Sequence, residues 1–275
     1  MENDRIRTMS FNVNGIRSRL NQLEIILEKH SPTIVGLQEI KVSDEEFPIQ
    51  AITEMGYEVS YFGQKGHYGV ALLSKTSPIN VIKGFPTDDN ESQKRIIHGH
   101  YQYGSETIHV INGYFPQGEN RSHPTKFPAK EKFYSDLGMY MRDNFKQNDY
   151  VVVMGDMNVA PKNIDVGIGP DNMKRWLQRG ICCFLPEERT WLHSIMSFPL
   201  FDTYRHLHCN DLEYSWFDYR SRGFDQDPKR GLRIDLILSS QSLLPRMIDA
   251  GIDVEARGLE KPSDHCPVWA DFELS

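Results

Sequence analysis

The chain is punctuated by short apolar runs, rich in Val, Ile and Leu, that break off at polar residues. Ile6 to Val13, Thr33 to Leu37, Val70 to Leu73, Ile108 to Tyr114, Tyr150 to Met154, Ile234 to Leu238 and Val268 to Leu274 all have the length of buried strands. None approaches the apolar length needed to cross a bilayer. Helical spacing falls between several of them. Leu20, Leu23 and Leu27 recur at that spacing after Gly15, as do Phe133, Leu137 and Met141, and Pro170 to Arg179 reads as a short helix closed by Gly180. Intermixed strands and helices first suggest a parallel α/β sheet. Gly-rich connections, and strand pairs with no room for a helix between them, favour instead sheets packed on each other with helices outside. No linker, low-complexity tract or short repeat marks a boundary, so residues 1–275 read as a single domain.

A composition of 39% hydrophobic and 25% charged residues is that of an ordinary globular protein with a substantial core. Met1 to Arg7 is charged from its second residue and lacks the apolar stretch of a secretory signal, which points to a cytoplasmic protein without membrane partners. Cys182, Cys183, Cys209 and Cys266 show no zinc-like spacing, and the adjacent pair does not suit disulfide geometry, so all four read as thiols. The net charge of −7 argues against nucleic acid as a partner, since DNA affinity rests largely on Lys and Arg. A metal-dependent nuclease nonetheless concentrates carboxylates at its centre, and basic residues do cluster elsewhere, at Arg17 and Arg19, at Lys174, Arg175 and Arg179, and from Arg220 to Arg233. Each run taken singly also suits a solvated face.

The acids are informative for where they stand. Glu39 follows Ile34 to Gln38, and Asp156 and Asn158 follow Val151 to Gly155. In stacked sheets whose strand ends meet at one rim, such side chains converge without being neighbours in sequence. Mg²⁺ suits the set, being a hard ion held by one or two carboxylates plus water and phosphate. An acid after a strand is more often a turn residue, and Gly155 to Asn158 taken alone could be a turn. At the C-terminus, Ser263-Asp264-His265 places a second ligand candidate beside a histidine. Asp235 opens a strand and could fix that imidazole's tautomer, or pair with Arg233 or Arg230 at a strand edge. Asn12 and Asn14 end the first strand, where amides bind a carboxylate or cap a turn.

With these residues located, the chain resembles the exodeoxyribonuclease III family of the exonuclease-endonuclease-phosphatase superfamily. The resemblance runs nearly end to end, through Ser10 to Gly15, Leu37 to Glu39, Gly63 to Gly69, Asn112 to Gly118, Gly155 to Asn158, Ser215 to Arg220, Leu232 to Asp235 and Ser263 to His265. It implies a four-layer α-β-β-α sandwich, two packed mixed sheets flanked by helices as in deoxyribonucleases. It also implies a Mg²⁺-dependent DNA phosphodiesterase, with Mn²⁺ able to substitute, acting as a monomer on double-stranded DNA at abasic sites and 3′ ends. By resemblance, Glu39, Asn12 and Asp264 bind the metal, within reach of Asp156, Asn158 and His265. Asp156 activates water, Asn158 positions it, Tyr114 stands against the phosphate, and His265 with Asp235 stabilises that phosphate. Trp216, Phe217 and Leu232 would receive a flipped abasic sugar, although Trp216 and Phe217 in isolation also read as core aromatics. Lys65, Arg95, Gln117, Lys126, Lys174 and Arg175 would contact the DNA backbone. Two departures stand out: Asp225 to Lys229 is slightly longer than is usual, and Ile40 replaces a frequent threonine. The alternatives are a superfamily phosphoesterase acting on lipid or inositol phosphates, and a DNA-binding protein that has lost its chemistry.

Overall fold

The computed structural model of the protein describes residues 5–274. In chain order the elements are β1 (Arg5–Asn12), α1 (Leu20–His30), β2 (Ile34–Gln38), α2 (Ile49–Glu54), β3 (Glu58–Phe62), β4 (Val70–Ser74), β5 (Asn80–Lys83), β6 (Ile96–Tyr103) and β7 (Glu106–Tyr114). There follow α3 (Lys126–Asn144), β8 (Tyr150–Asp156), α4 (Pro170–Arg179), α5 (Pro186–Met196), β9 (Leu200–Asp202), α6 (Thr203–Leu207), β10 (Asp235–Ser240), β11 (Met247–Ile252) and β12 (Val268–Glu273). The strands form two mixed six-stranded sheets, ordered β11-β12-β1-β2-β4-β3 and β5-β6-β7-β8-β10-β9. Each sheet has one parallel pair at its middle, β1 with β2 and β7 with β8, and antiparallel neighbours elsewhere.

Strand alternation assigns every second side chain to the space between the sheets. From β1, β2, β7 and β8 that space receives Ile6, Ile34, Ile108, Val110, Val152 and Met154, joined by Ile237, Ala270 and Phe272. The remaining faces pack outward. Met9, Phe11, Val35 and Leu37 lie in a cluster with Leu23, Ile26 and Leu27 of α1, while Val151 and Val153 lie with Phe133, Leu137 and Met141 of α3 and Leu192 of α5. Central strands buried on both faces read as continuous apolar runs, which is why they could be recognised. The strands that escaped the sequence pattern are β3, β5, β6, β9 and β11, four of them at sheet edges with partly wet faces or, for β9, only three residues.

Helix α1 docks on the segment before β12. Gln22 donates through Nε2 to the Ala256 carbonyl at 2.9 Å and accepts from the Ser263 amide at 2.9 Å. Lys29 and His30 reach Asp253 at 2.9 and 2.7 Å. Burial opposes ionisation of Asp253, but the hydrogen bonds and charges of His30 and Lys29 prevail and hold its carboxyl down to about 2. A carboxyl depressed on folding stabilises the native state above its unfolded pKa, and that stabilisation disappears as pH falls through the folded value. Asp253→Asn will therefore melt below wild type near neutral pH, and the gap will narrow as pH drops from about 4 towards about 2. Thermal denaturation monitored by circular dichroism across that range is the check, and a gap that does not change with pH would remove the ion cluster as its cause.

Candidate active site

Register alone builds half of the site. Tyr114 pairs with Asp156 across β7 and β8, and Asp235 pairs with Asp156 across β10 and β8. Paired residues point to the same side of a sheet, so the three side chains form a row at one rim of the inter-sheet space. Asp156 is the last residue of β8 rather than a loop residue beyond it, because the strand runs two residues past its apolar run. The facing sheet contributes Asn12, the last residue of β1, and Glu39, one residue after β2. Gly155 is required here: its φ is 147°, and a Cβ would meet the Gly113 carbonyl oxygen at 1.9 Å.

Beneath the row, the inward positions change from apolar to amide and hydroxyl. Gln38 donates to Ser10 Oγ at 3.0 Å and to Asn112 Oδ1 at 2.6 Å, and Asn112 donates to the Leu37 and Ala71 carbonyls, both at 2.9 Å. The Asn112 amide fits only because residue 36 is glycine, where a Cβ would stand 2.6 Å from it. This floor joins the two sheets beneath the rim residues.

At the rim, Asn12 Nδ2 donates to Glu39 Oε1 at 3.1 Å and to Asp156 Oδ2 at 3.0 Å, while Asn12 Oδ1 accepts from the Asn14 amide at 3.0 Å. Ligand atoms of Glu39, Asp156 and His265 lie within 4.8 Å of one another. His265 Nδ1 is held by both Asp235 oxygens at 2.9 and 3.0 Å, and Ser215 Oγ fixes Asp235 from the other side at 2.6 Å. His265 Nε2 is left facing Asp156 Oδ2 at 3.7 Å. Arg233, the alternative partner for Asp235, instead bonds Asp165 and Asp202. Asp264 accepts from Asn14 Nδ2 at 2.8 Å and from Trp216 Nε1 at 3.0 Å. Asn158 donates its amide N–H to Asp156 Oδ1 at 3.0 Å and its Nδ2 to the Phe115 carbonyl at 2.9 Å. Glu39 and Asn158 both have φ of 52°, a left-handed conformation that costs a non-glycine residue about 1–3 kcal/mol and is commonest at functional sites.

Burial, with the negative charges of Asp235 and Glu39, pushes Asp156 up to about 7 against the pull of His265. Burial disfavours charge on His265, but Asp235 and Asp156 outweigh it and raise the imidazole to about 10. Burial and the charges of Glu39 and Asp156 raise Tyr114 well above the ordinary phenol range, so its hydroxyl remains a donor. Glu39 is held below the usual carboxylate range; burial opposes this, and the charge and contact of Lys41, 2.8 Å from Oε2, decide it. Four carboxylates, of Glu39, Asp156, Asp235 and Asp264, thus meet the cations Lys41 and His265. That negative excess, presented largely by oxygen atoms, fits a hard divalent cation.

A cavity of about 150 Å³ opens here, its wall formed by Glu39, Tyr114, Gln117, Asp156, Asn158, Trp176, Cys183, Trp216, Ile234, Asp264 and His265. Of the three apolar residues assigned to a sugar pocket, only Trp216 lines it. Phe217 is 1% exposed and packs with Tyr214 and Cys266, its ring edge-on to Phe224 at 5.4 Å; Leu232 is fully buried with Phe184 and Ile234. Trp176 and Cys183 take their places in the wall, and burial pushes the Cys183 thiol up to about 12, which leaves it neutral. No short motif marked either residue, since α4 and the segment after it reach the cavity only through tertiary packing.

Arg95, Gln117 and Lys126 line an adjoining groove of about 380 Å³ with Tyr68 and Tyr114, and the Arg95 guanidinium lies 4.1 and 4.7 Å from those two rings. Lys174 and Arg175 are exposed on α4, on the helix that supplies Trp176, and Lys65 is exposed in the β3–β4 connection. Ile40 is wholly buried in the α1-side core. The longer Asp225–Lys229 segment follows Phe224, and the Lys229 ammonium lies 3.8 Å above that ring.

The model of the Endonuclease/Exonuclease/phosphatase family matches residues 9–265. The exodeoxyribonuclease III of Haemophilus influenzae is 53% identical over 98% of this chain and 100% of its own. Two solved structures are each 34% identical and cover 98% of this chain and 100% of theirs: a 3′ phosphatase, NExo, from Neisseria bound to product DNA hairpin, with a TM-score of 0.89, and an AP endonuclease from Archaeoglobus fulgidus, with a TM-score of 0.88.

Because the Asp235 charge is the leading cause of the raised His265 value, Asp235→Asn will bring the imidazole's titration down towards the ordinary histidine range. Imidazole chemical shifts followed by NMR against pH will report this. An unchanged titration midpoint would mean that Asp156 alone sustains the charge.

Proposed function

The chain belongs to the endonuclease/exonuclease/phosphatase family, and from that membership together with the rim cluster we propose that it is an exodeoxyribonuclease III of DNA base excision repair. It hydrolyses the backbone 5′ to abasic sites and removes nucleotides or blocking phosphates from 3′ ends of duplex DNA. The observation that carries the reading is the meeting of Glu39, Asp156 and His265 within 4.8 Å, with Trp216 in the same cavity wall. Mg²⁺, or Mn²⁺ in its place, is the ion we assign, with Glu39 and Asp264 as its principal holders and Asp156, Asn158 and His265 within reach. Asn12 serves through its amide contacts to Glu39 and Asp156. When bound, the ion supplies positive charge to the phosphoryl and leaving oxygens.

Asp156, buried at the rim with its Oδ1 held by the Asn158 amide, takes the proton of an attacking water as general base. Asn158, anchored on Phe115, positions that water. His265, charged and held at Nδ1 by Asp235, presents its Nε2–H to the phosphate, where negative charge accumulates, and the Tyr114 hydroxyl adds a second donor. Trp216 offers a flat apolar face beside the acids, where a sugar without its base can enter at little unstacking cost. Arg95, Gln117 and Lys126 in the groove, Lys174 and Arg175 on α4, and Lys65 on its loop are assigned to the DNA backbone. Phe217 and Leu232 act from behind the wall by holding Trp216, whose amide and carbonyl pair with the backbone of Leu232 at 2.9 and 3.0 Å. We assign residues 1–275 to one domain that works as a cytoplasmic monomer. No described helix is long and apolar enough to cross a membrane.

The protein will cleave an abasic duplex, a blunt duplex and a 3′-phosphate duplex with Mg²⁺ and lose all three activities in EDTA. Asp156→Asn will lower turnover on the abasic duplex by about 10²–10⁴-fold while gel-shift affinity persists, as removal of a general base implies. Hydrolysis of sphingomyelin or inositol phosphates with the abasic duplex left intact would overturn the reading. Glu39→Ala will lose activity that raised Mg²⁺ partly restores; a loss insensitive to Mg²⁺ would take Glu39 out of the ion's coordination.

A further inference from the structure

Three histidines gather on the face of the second sheet that packs against α3, away from the rim. His98 and His100 alternate along β6, and His109 of β7 stands in register with His100. One ring nitrogen from each lies within 4.8 Å of the other two. His109 is five residues before Tyr114 on the same strand, about 17 Å along it at roughly 3.3 Å per residue. The cluster is therefore separate from the catalytic cavity.

We propose that His98, His100 and His109 bind a borderline transition-metal ion, Zn²⁺ first among them, at a site independent of the catalytic ion. The nitrogen positions suit it. His98 Nε2 and His109 Nδ1 are 3.3 Å apart, and two ligands of a tetrahedral zinc with bonds of about 2.0–2.1 Å stand about 3.3–3.4 Å apart. His98 Nδ1 is engaged by the Tyr140 hydroxyl at 2.8 Å, the partner on the far nitrogen that orients a metal-bound imidazole, and its Nε2 faces His109 Nδ1 as the ligand atom. His100 Nε2 is buried and has no hydrogen-bond partner among the described residues, an acceptor or donor that the protein leaves unused.

The surroundings of the rings disfavour charge, and ligand imidazoles must be neutral. Burial holds His98 down to about 2, helped by its two histidine neighbours, and burial lowers His100 and His109. With His109 Nδ1 and His98 Nε2 as ligand atoms, any proton shared between them leaves or passes to a ring nitrogen that does not bind the metal. Phe145 closes one side, with its ring 5.4 Å from His98 and 5.0 Å from His109, and no acid or thiol joins the three among the described residues, which leaves water for the fourth position. An all-nitrogen set of this kind favours Zn²⁺, Cu²⁺, Ni²⁺ or Co²⁺ over Mg²⁺, which prefers oxygen.

The test uses the whole, metal-stripped protein in excess Mg²⁺ to fill the oxygen-rich rim. Co²⁺ will bind with one equivalent and give visible ligand-field bands that Zn²⁺ displaces. His100→Ala and His109→Asn, both at half-buried positions, will each abolish those bands. Tyr140→Phe will weaken Co²⁺ affinity by about 10–100-fold. His265→Asn will leave the bands intact, and His100→Ala will keep the Mg²⁺-dependent cleavage of wild type. Circular dichroism confirms folding, and either ligand variant carries the test if the other fails to fold. Bands that persist in the folded ligand variants, or that vanish in His265→Asn, would overturn the site, as would a wild type that binds no Co²⁺ in excess Mg²⁺.

Discussion

One amide connects the two sheets at the point where their charges conflict. Asn12 Nδ2 gives a hydrogen bond to Glu39 of one sheet and another to Asp156 of the other. Ligand atoms of those carboxylates lie within 4.8 Å, where two full charges at an effective dielectric constant of about 20 repel by on the order of 3 kcal/mol. Two hydrogen bonds to charged acceptors, each worth about 1.5–3 kcal/mol, are of the size needed to offset that. Burial, with the charge of Asp235 and then of Glu39, is what raises the Asp156 carboxyl, and the Asn12 hydrogen bond opposes that rise. The same strain that makes this rim unfavourable for a pair of carboxylates makes it favourable for a divalent cation and for a carboxylate ready to take a proton. Asn12 is itself immobilised, being fully buried, with its backbone carbonyl accepting from Ser263 Oγ at 2.6 Å. Through Ser263 the turn carrying Asp264 and His265 is fixed to the end of β1.

A second tier of buried charge holds the surrounding loops. Asp165 accepts from Arg233 Nε at 2.7 Å and from Arg205 Nη2 at 2.7 Å, and Arg233 also reaches Asp202 at 2.6 Å. Lys130 is entirely buried; it contacts Glu188, the Asn158 carbonyl at 2.8 Å and the Gln117 carbonyl at 3.2 Å. Removal of one partner from such a pair costs about 3–5 kcal/mol, because the other charge is left buried and unpaired. Both networks therefore fix backbone rather than chemistry. Arg233 secures the segment between Leu232 and Asp235, and Lys130 secures the turns that carry Asn158 and Gln117.

The site was legible where chemistry and strand endings coincide. Glu39, Asp156 and Asp235 each stand at the end or start of a continuous apolar run, and both the runs and their polar endings are visible in one dimension. β6 was not, because its outward positions carry His98 and His100, so the segment lacks the apolar continuity of its neighbours. Ser10, Gln38 and Asn112 stand in recognised motifs, but their joint role as a buried floor was hidden, because a polar residue inside a strand pattern reads as a defect until its partner on the opposite sheet is known. That Phe217 lies behind the cavity wall could not be read in one dimension, because which face of an aromatic is covered depends on Tyr214, Phe224 and Cys266, three residues that only folding brings to it.

The net charge of −7 remains to be reconciled with a DNA substrate. At physiological ionic strength charges separated by much more than about 8 Å are screened, so a duplex approaching the rim responds to the nearest few side chains and hardly to the sum over the chain. Those nearest side chains are of both signs. The acids occupy the floor of the cavity, where Glu39 is 17% exposed at its side chain and Asp156 only 2%. Lys174 and Arg175 stand on the exterior of α4, while Arg95 and Lys126 line the adjoining groove. Lys126 is itself partnered by Glu119, and Arg121 by Glu187, so part of the basic surface is already neutralised. On the proposed reading, cations on α4 and in the groove stand on either side of the cavity, and a DNA backbone lying across both would meet positive charge at each flank. Such two-sided contact would seat a phosphate over the acids, so the reading depends on where the cations stand rather than on the chain's net charge.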